Sequence, residues 1–551
     1  MDLSQVGSAG PAIPAGIDTS AMLTMAGLIA AVWAVVPATA RLGFRLSLSW
    51  IDWAVIWGLL ALIHAFFFEP VLRSLGLYPI IGDWRWGFEK STLQYTLFLA
   101  LVTFVYVRSK KTRVSRWKLF LFEELTMALL HARRFDDLAV LLDRHLESVL
   151  ALAKAGDVRE RIARWLAPGL ATLVIKHGPA GAIEIAPAPM SRARKWWRQT
   201  RNVASRAVMP SRRISTRALG VLTSLLSSRQ LAGHLARTRP RLCLRIMERV
   251  TLHVASFQDE CFIALLEDDS SVLFAELQNS EQLADGRGHR LDLPEENRLL
   301  RFYLRDVSVA DDLGVYRSVG EAALSRIEVD DVLMARLNGP LLRYQEVGSR
   351  RCPIYMSIYF FRLMVLEGLH QRFNDHLWLH YTYHFVDKLL ERARQVRPDD
   401  ANHEFATPLA YLLYCIVDVT CDWVEEAAVL TEKGAAVQAD AHEGRHVYIS
   451  FEATTALGAV LEPILVSDRV TDRLKTELLT VTLRALERVQ RHKPLAQLAD
   501  AMCCNLMSPH GLRNPQYLRA LRFHFNRQDH LLRRDMARFE QALGAEESFQ
   551  D

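Results

Sequence analysis

Apolar and polar positions divide this chain at residue 108. Before it, apolar residues gather in three runs, at about 21–37, 51–68 and 91–107; beyond it they recur every three or four positions. Runs of this length are near the minimum for helices that cross a membrane. The shorter period is that of amphipathic helices with one buried face. The third run, Leu93 to Val107, stops at Arg108, Lys110, Lys111, Arg113, Arg116 and Lys118, and no acid follows until Glu123. Cations set against the end of a span favour the cytoplasmic side.

The connections between the runs agree with this. Arg41 and Arg45 stand without an acid, which places the first connection inside. Arg73, Arg85 and Lys90 are balanced by Glu69, Asp83 and Glu89, which places the second outside. The pattern predicts a three-span domain over residues 21–107, with the N-terminus outside and the C-terminal bulk in the cytoplasm. Trp50, Trp53 and Trp57 suit a membrane interface. Asp52 falls at that interface, and His64, alone within its run, makes a weak proton pathway. A signal peptide cut near Ala38-Thr39-Ala40 is the rival for the first run, but residues 1–20 offer it no Lys or Arg.

The remainder reads as helical. From Trp117 to Leu152, Leu121, Leu125 and Leu129, then Leu138, Leu141, Leu142 and Leu146, mark a juxtamembrane αα-hairpin within residues 108–176, with Asp136 as the expected N-cap of its second helix. Residues 1–20 are expected to be a flexible N-terminus. Pro, Gly and Ala at 177–190 mark a linker. A basic helical segment is expected at 191–250, a helical cytoplasmic domain at 251–542 and a frayed acidic tail at 543–551. A loop at 283–297 leads to a helix beginning near Glu295. The apolar stretches Ile354–Leu369, Pro408–Val417 and Thr454–Val466 are short or interrupted, so they are expected as buried core helices. Cys261–Leu266 and Val447–Phe451 are candidate short strands, which periodicity does not separate from helix. No self-similar period marks a repeat protein.

Composition narrows the class further. The chain has 551 residues, 50% of them hydrophobic and 23% charged, with a net charge of +5. It is long enough for several cores and too apolar for wholesale disorder. The bias toward Arg, Ala and Leu suggests a bacterial source. Seven cysteines without a CxxC pair read as reduced, buried thiols.

One segment stands out by charge. Residues 191–250 carry fourteen Arg and one Lys against the single acid Glu248, and Trp196 and Trp197 sit among Arg192, Arg194, Lys195, Arg198 and Arg201. Cations around tryptophans suit anionic lipid headgroups or nucleic acid. The acids that follow, among them Asp259, Glu260 and Glu267, would also neutralise the segment internally. The three readings stay open at this level, with lipid the nearer polyanion for a tethered chain.

Two constellations bear on catalysis. His376, His380 and His384, continued by Asp387 and Glu391, recur at helical spacing on one face. Imidazoles at i and i+4 are able to share a zinc ion, but a solvated polar face opposite Trp378, Phe385 and Leu389 explains the pattern as well. His442-Glu443-Gly444-Arg445-His446 is a literal H-E-x-x-H, which resembles the zinc peptidases over those five residues. The resemblance implies His442 and His446 as zinc ligands and Glu443 as general base, with Glu452 or Glu462 as a third ligand. Gly444, Arg445 and the Gly- and Ala-rich run before it depart from the hydrophobic helix of that family. No phosphate-binding GxxxxGK[ST] loop, GxSxG elbow or kinase set is present. The residues therefore assign no catalysis and require no cofactor. The expectation is a membrane-anchored helical scaffold, sensor or effector at the inner face of a bacterial membrane, in contact with lipids and with a protein partner or further copies of itself. A tethered zinc hydrolase is the alternative, and an oligomeric channel or transport subunit the second.

Overall fold

The computed structural model describes residues 48–68, 90–109, 118–153, 212–249, 255–284, 293–373, 377–432, 448–511 and 514–545. It also describes the strands at 173–177 and 183–187 and a few isolated positions, including 196–197 and 199–201. The protein is mainly α-helical and folds as two compact units, residues 1–225 and 226–551.

In the first unit, α1 (Trp50–Phe67) and α2 (Lys90–Ser109) lie against one another. Leu48, Ile56 and Ile63 on the α1 side and Phe98 and Leu101 on α2 form their buried seam. The start of α1 meets the end of α2, because Asp52 pairs with Arg108. The two helices are therefore antiparallel. Their outer faces carry exposed Trp50, Trp53, Trp57, Leu99 and Val102. The first apolar run is described only at Leu23 and Gly27, both helical.

The helical hairpin expected within residues 108–176 forms α3 (Leu119–His131) and α4 (Phe135–Ala153). Leu138, Leu141, Leu142 and Leu146 are buried as expected, but α3 buries Leu119, Phe122, Thr126 and Leu129. Leu121 faces outward, because α3 is apolar on most sides and its neighbours choose the face. Asp136 does not cap α4. The turn closes at Arg133 (φ 55°), and Asp136 and Asp137 fall inside the first turn, where carboxylates suit the helix dipole. Within residues 177–190, where composition marks a linker, β2 (Ile183–Pro187) pairs antiparallel with β1 (Leu173–His177), Ile175 opposite Ile185. α5 (Arg212–Leu226) is tied to α3 and α4 by Arg217 to Glu123 and by the Ser215 hydroxyl donating to the Ala153 carbonyl, both at 2.5 Å.

The second unit is a two-layered helical stack. One layer runs through α6 (Arg229–Thr238), α8 (Ala255–Glu267), α12 (Val315–Val329), α15 (Leu377–Arg392), α17 (Tyr448–Val466) and α19 (Ala496–Met507), each packed on the next. The other runs through α9 (Val272–Ala284), α14 (Pro353–His370), α16 (Pro408–Glu432), α18 (Asp472–Gln490) and α20 (Pro515–Phe525). Short helices fill the connections: α7 (Pro240–Met247), α10 (Arg298–Leu304), α11 (Val307–Leu313), α13 (Asp331–Leu337), α21 (His530–Asp535) and α22 (Ala537–Ala545). Stacked helix pairs are the plan of α-solenoids. Here α16 spans 25 residues and α19 only 12, so the stack has no fixed sequence period.

Both candidate strands are helical. Cys261–Leu266 lies inside α8, where Phe257, Cys261 and Leu265 share the buried face, and Tyr448–Phe451 opens α17. The helix expected near Glu295 begins at Arg298. Buried Glu276 of α9 accepts hydrogen bonds from the Leu299 and Leu300 amides at 3.1 and 2.8 Å, and so satisfies two of the donors that a helix start leaves open. Among the described helices, α17 is the one long and apolar enough by itself to cross a membrane, and most of it is buried inside the stack; α1 and α2 are apolar over shorter stretches, Trp50–Phe66 and Thr92–Arg108. A Cβ at Gly458 of α17 would meet the Asn505 carbonyl of α19 at 2.3 Å, so the two backbones nearly touch. This is the packing of a core helix, as the sequence leads one to expect for Thr454–Val466.

Candidate functional site

Of the cluster of cations around the two tryptophans, Trp196, Trp197 and Arg201 are described. Both indoles are exposed, and Thr200 donates to the carbonyls of the turn that carries them. Arg201 donates to the Trp165 carbonyl at 2.7 Å. Arg192, Arg194, Lys195 and Arg198 lie outside the described residues. Further on, Arg229 pairs with Glu260 at 2.9 Å and Arg237 with Glu267 at 2.6 Å, so acids that follow the segment neutralise part of it and bind α6 to α8.

His380 and His384 stand on the exposed face of α15, and Trp378, Phe385 and Leu389 on its buried face. Glu391 pairs with Lys388 at 3.1 Å. His376, His442, Glu443 and His446 lie outside the described residues. Glu462, the downstream acid, accepts from Asn514 at 2.8 Å. Among the described residues, no group of three or more His, Cys, Asp or Glu is placed to hold a metal ion. The seven cysteines are free thiols, five of them buried.

At the closed end of the α1/α2 pair, Asp52 is 2% exposed and accepts from the Ser49 amide at 2.8 Å while pairing with Arg108. Lys118 donates to the Leu48 carbonyl. Burial lowers the Lys118 pKa, against the pull of Asp52. His64 has its Nδ1 at 2.7 Å from the Leu60 carbonyl of its own helix. Asp52 thus joins two helices, a role that its place in the sequence did not reveal.

In the second unit a cavity of about 800 Å³ opens beside α13. Asn338 ends that helix, and Gly339-Pro340 turn the chain away, since proline does not continue a helix. Leu342 follows with φ 44°, a left-handed conformation that costs a branched side chain about 1–2 kcal/mol. The chain then makes a π turn, Tyr344–Gly348, in which the Gly348 amide reaches the Arg343 carbonyl at 3.4 Å. Gly348 is required there: a Cβ would lie 2.8 Å from the Tyr344 ring. Strained backbone and π turns concentrate at functional sites. Leu342 is 86% exposed, Val332 72% and Val329 75%, and a second hollow of about 550 Å³ adjoins the first along Asp331 and Val332.

A polar latch holds this wall in place. Asn338 donates to the Arg392 carbonyl at 2.9 Å and accepts from the Arg394 amide at 2.8 Å. Arg394 grips Asp400 through two bonds, at 2.6 and 2.9 Å, and holds its carboxyl down at about 2. Sequence reasoning missed the cleft. Its available signal was a turn-forming Asn-Gly-Pro followed at once by two leucines.

A polar seam also crosses α14 and α16. Arg362, which interrupts the apolar run Ile354–Leu369, pairs with Asp422 at 2.8 Å. Asp418, Asp422 and Glu425 recur within ~60° of one face of α16. Burial raises both aspartates, Asp422 to about 6. No family model, curated protein or solved structure matches this chain.

Proposed function

We propose that the chain is a membrane-anchored helical interaction protein, with α1, α2 and the run at 21–37 as its anchor and the second unit as a scaffold in the cytoplasm. The α1/α2 pair carries the reading. Its seam is packed, yet its outer faces expose Trp50, Trp57, Leu99 and Val102. Apolar side chains on both outer surfaces match a lipid solvent. Arg108 and Lys118 gather where α1 begins and α2 ends, the end that the positive-inside rule assigns to the cytoplasm. Stacked helices supply broad surfaces rather than enclosed chambers, which favours binding over catalysis. Exposed Trp196 and Trp197 are suited to rest on the anionic inner leaflet.

Reporter fusions test the anchor. Alkaline phosphatase joined after residue 80 should be active and after residue 150 inactive, and the chain should resist carbonate extraction. Activity at 150 would overturn the orientation, and release by carbonate would overturn the anchor.

A further inference from the structure

We propose that the cleft beside α13 docks an acidic, amphipathic helical segment of a partner protein. The inference rests on the scaffold reading and adds the site and the chemistry of its occupant.

Charge is the first argument. Acids around the cleft are already neutralised: Asp331 by Arg392 at 2.5 Å, Asp330 by Arg326 at 2.8 Å, Glu267 by Arg237 at 2.6 Å and Glu281 by Arg350 at 3.0 Å. Arg336 and Arg351 line the cavity and Arg343 adjoins Leu342, and none of the three carries an ion pair among the described residues. Glu346 is the nearby acid without one, so the mouth keeps an excess of positive charge. An occupant with carboxylates would meet it.

Shape is the second argument. The cavity volume lies within the range of small-ligand sites. A small ligand seated there would leave Val329 and Val347 in water, at 75% and 51% exposure. A macromolecular segment covers cavity and rim together. Two hollows on either side of Val332 suit apolar anchors on successive turns of a helix, the helix-in-groove mode of recognition. Strain at Leu342 holds that side chain outward before any partner arrives, which lowers the ordering cost of binding.

The test uses the full chain in phosphatidylcholine nanodiscs. The probe is a labelled designed helix with Leu at i, i+3, i+4 and i+7 and Glu elsewhere. A twin with Lys for Glu and vesicles containing phosphatidylglycerol serve as comparators. The acidic helix should bind at least about tenfold tighter than its basic twin and weaken several-fold as salt rises from about 50 to about 250 mM. The double variant R336E/R351E and the single variant Leu342→Ser should each weaken it about tenfold or more, and Leu531→Ser, exposed on α21, should leave it unchanged. All four positions are exposed, and circular dichroism checks that each variant folds. No binding, equal binding of both helices, or binding indifferent to R336E/R351E overturns the proposal. Vesicle binding that depends on Arg336 and Arg351 while the helix fails to bind would make the cleft a lipid site and also overturn it. The fusion and extraction results are independent of the cleft, so an anchored chain that fails here sinks only this inference.

Discussion

Arg362 on α14 and Asp422 on α16 hold one another at 2.8 Å, and burial still wins over that attraction, raising Asp422 to about 6. An acid raised above its unfolded value of about 3.9 binds more protons folded than unfolded between the two values. Its contribution to stability is therefore largest below about pH 4 and declines as pH rises through about 6. Melting curves of the full chain and Asp422→Asn should diverge in the variant's favour between pH 4 and pH 6.5. A constant difference across that window would refute the raised value.

Asp52 and Arg108 form the ion pair at the end of α1 and α2, with Asp52 also accepting from the Ser49 amide. Arg108→Ala should cost more than Arg108→Lys, because alanine leaves the buried Asp52 carboxylate without the cation it pairs with. A double-mutant cycle in detergent should give a coupling on the order of 1–2 kcal/mol. Additive losses would show that the two side chains do not depend on each other.

For Asp400 the sign is opposite to that of Asp422. Its carboxyl, held at about 2 by Arg394, supports the fold above its unfolded value and loses that effect as pH falls toward 2. Asp400→Asn should lower stability by about 2 kcal/mol near pH 7, and by progressively less between pH 4 and pH 2.5. Because the latch holds the wall of the cleft, the variant should also weaken the acidic helix probe. Unchanged melting at neutral pH would remove the latch from the account.

Two glycines separate packing from propensity. Gly458→Ala pushes a methyl to 2.3 Å from the Asn505 carbonyl, so α17 or α19 must move, at a cost of at least about 2 kcal/mol. Gly220→Ala in α5 meets nothing within 4 Å and should gain up to about 1 kcal/mol. Thermal unfolding of both variants decides this, and a neutral Gly458→Ala would mean the two helices are less tightly apposed.

The helical class was legible in the chain, because helical periodicity is local. Leu138, Leu142 and Leu146 are buried together for reasons contained within three turns of helix. The apolar character of α14, α16 and α17 was equally local, as was the readiness of His380 and His384 to share a face of α15. Where a stretch was apolar on all sides, locality ran out. It left α3 free to bury Phe122 in place of Leu121, and it left Cys261–Leu266 ambiguous between strand and helix.

Pairings across the chain were decided by tertiary structure alone. Asp52 and Arg108 are separated by nearly all of α1, the connection after it and nearly all of α2, and Arg362 and Asp422 by α15 and its flanks. No local pattern assigns a charge to a distant partner, since the choice depends on how the intervening helices stack. The cleft belongs to the same class. Leu342 reads as one more apolar residue after a turn; it becomes an exposed knob in left-handed backbone at the rim of a cavity only because α13, the π turn and Pro408 come together to line that cavity.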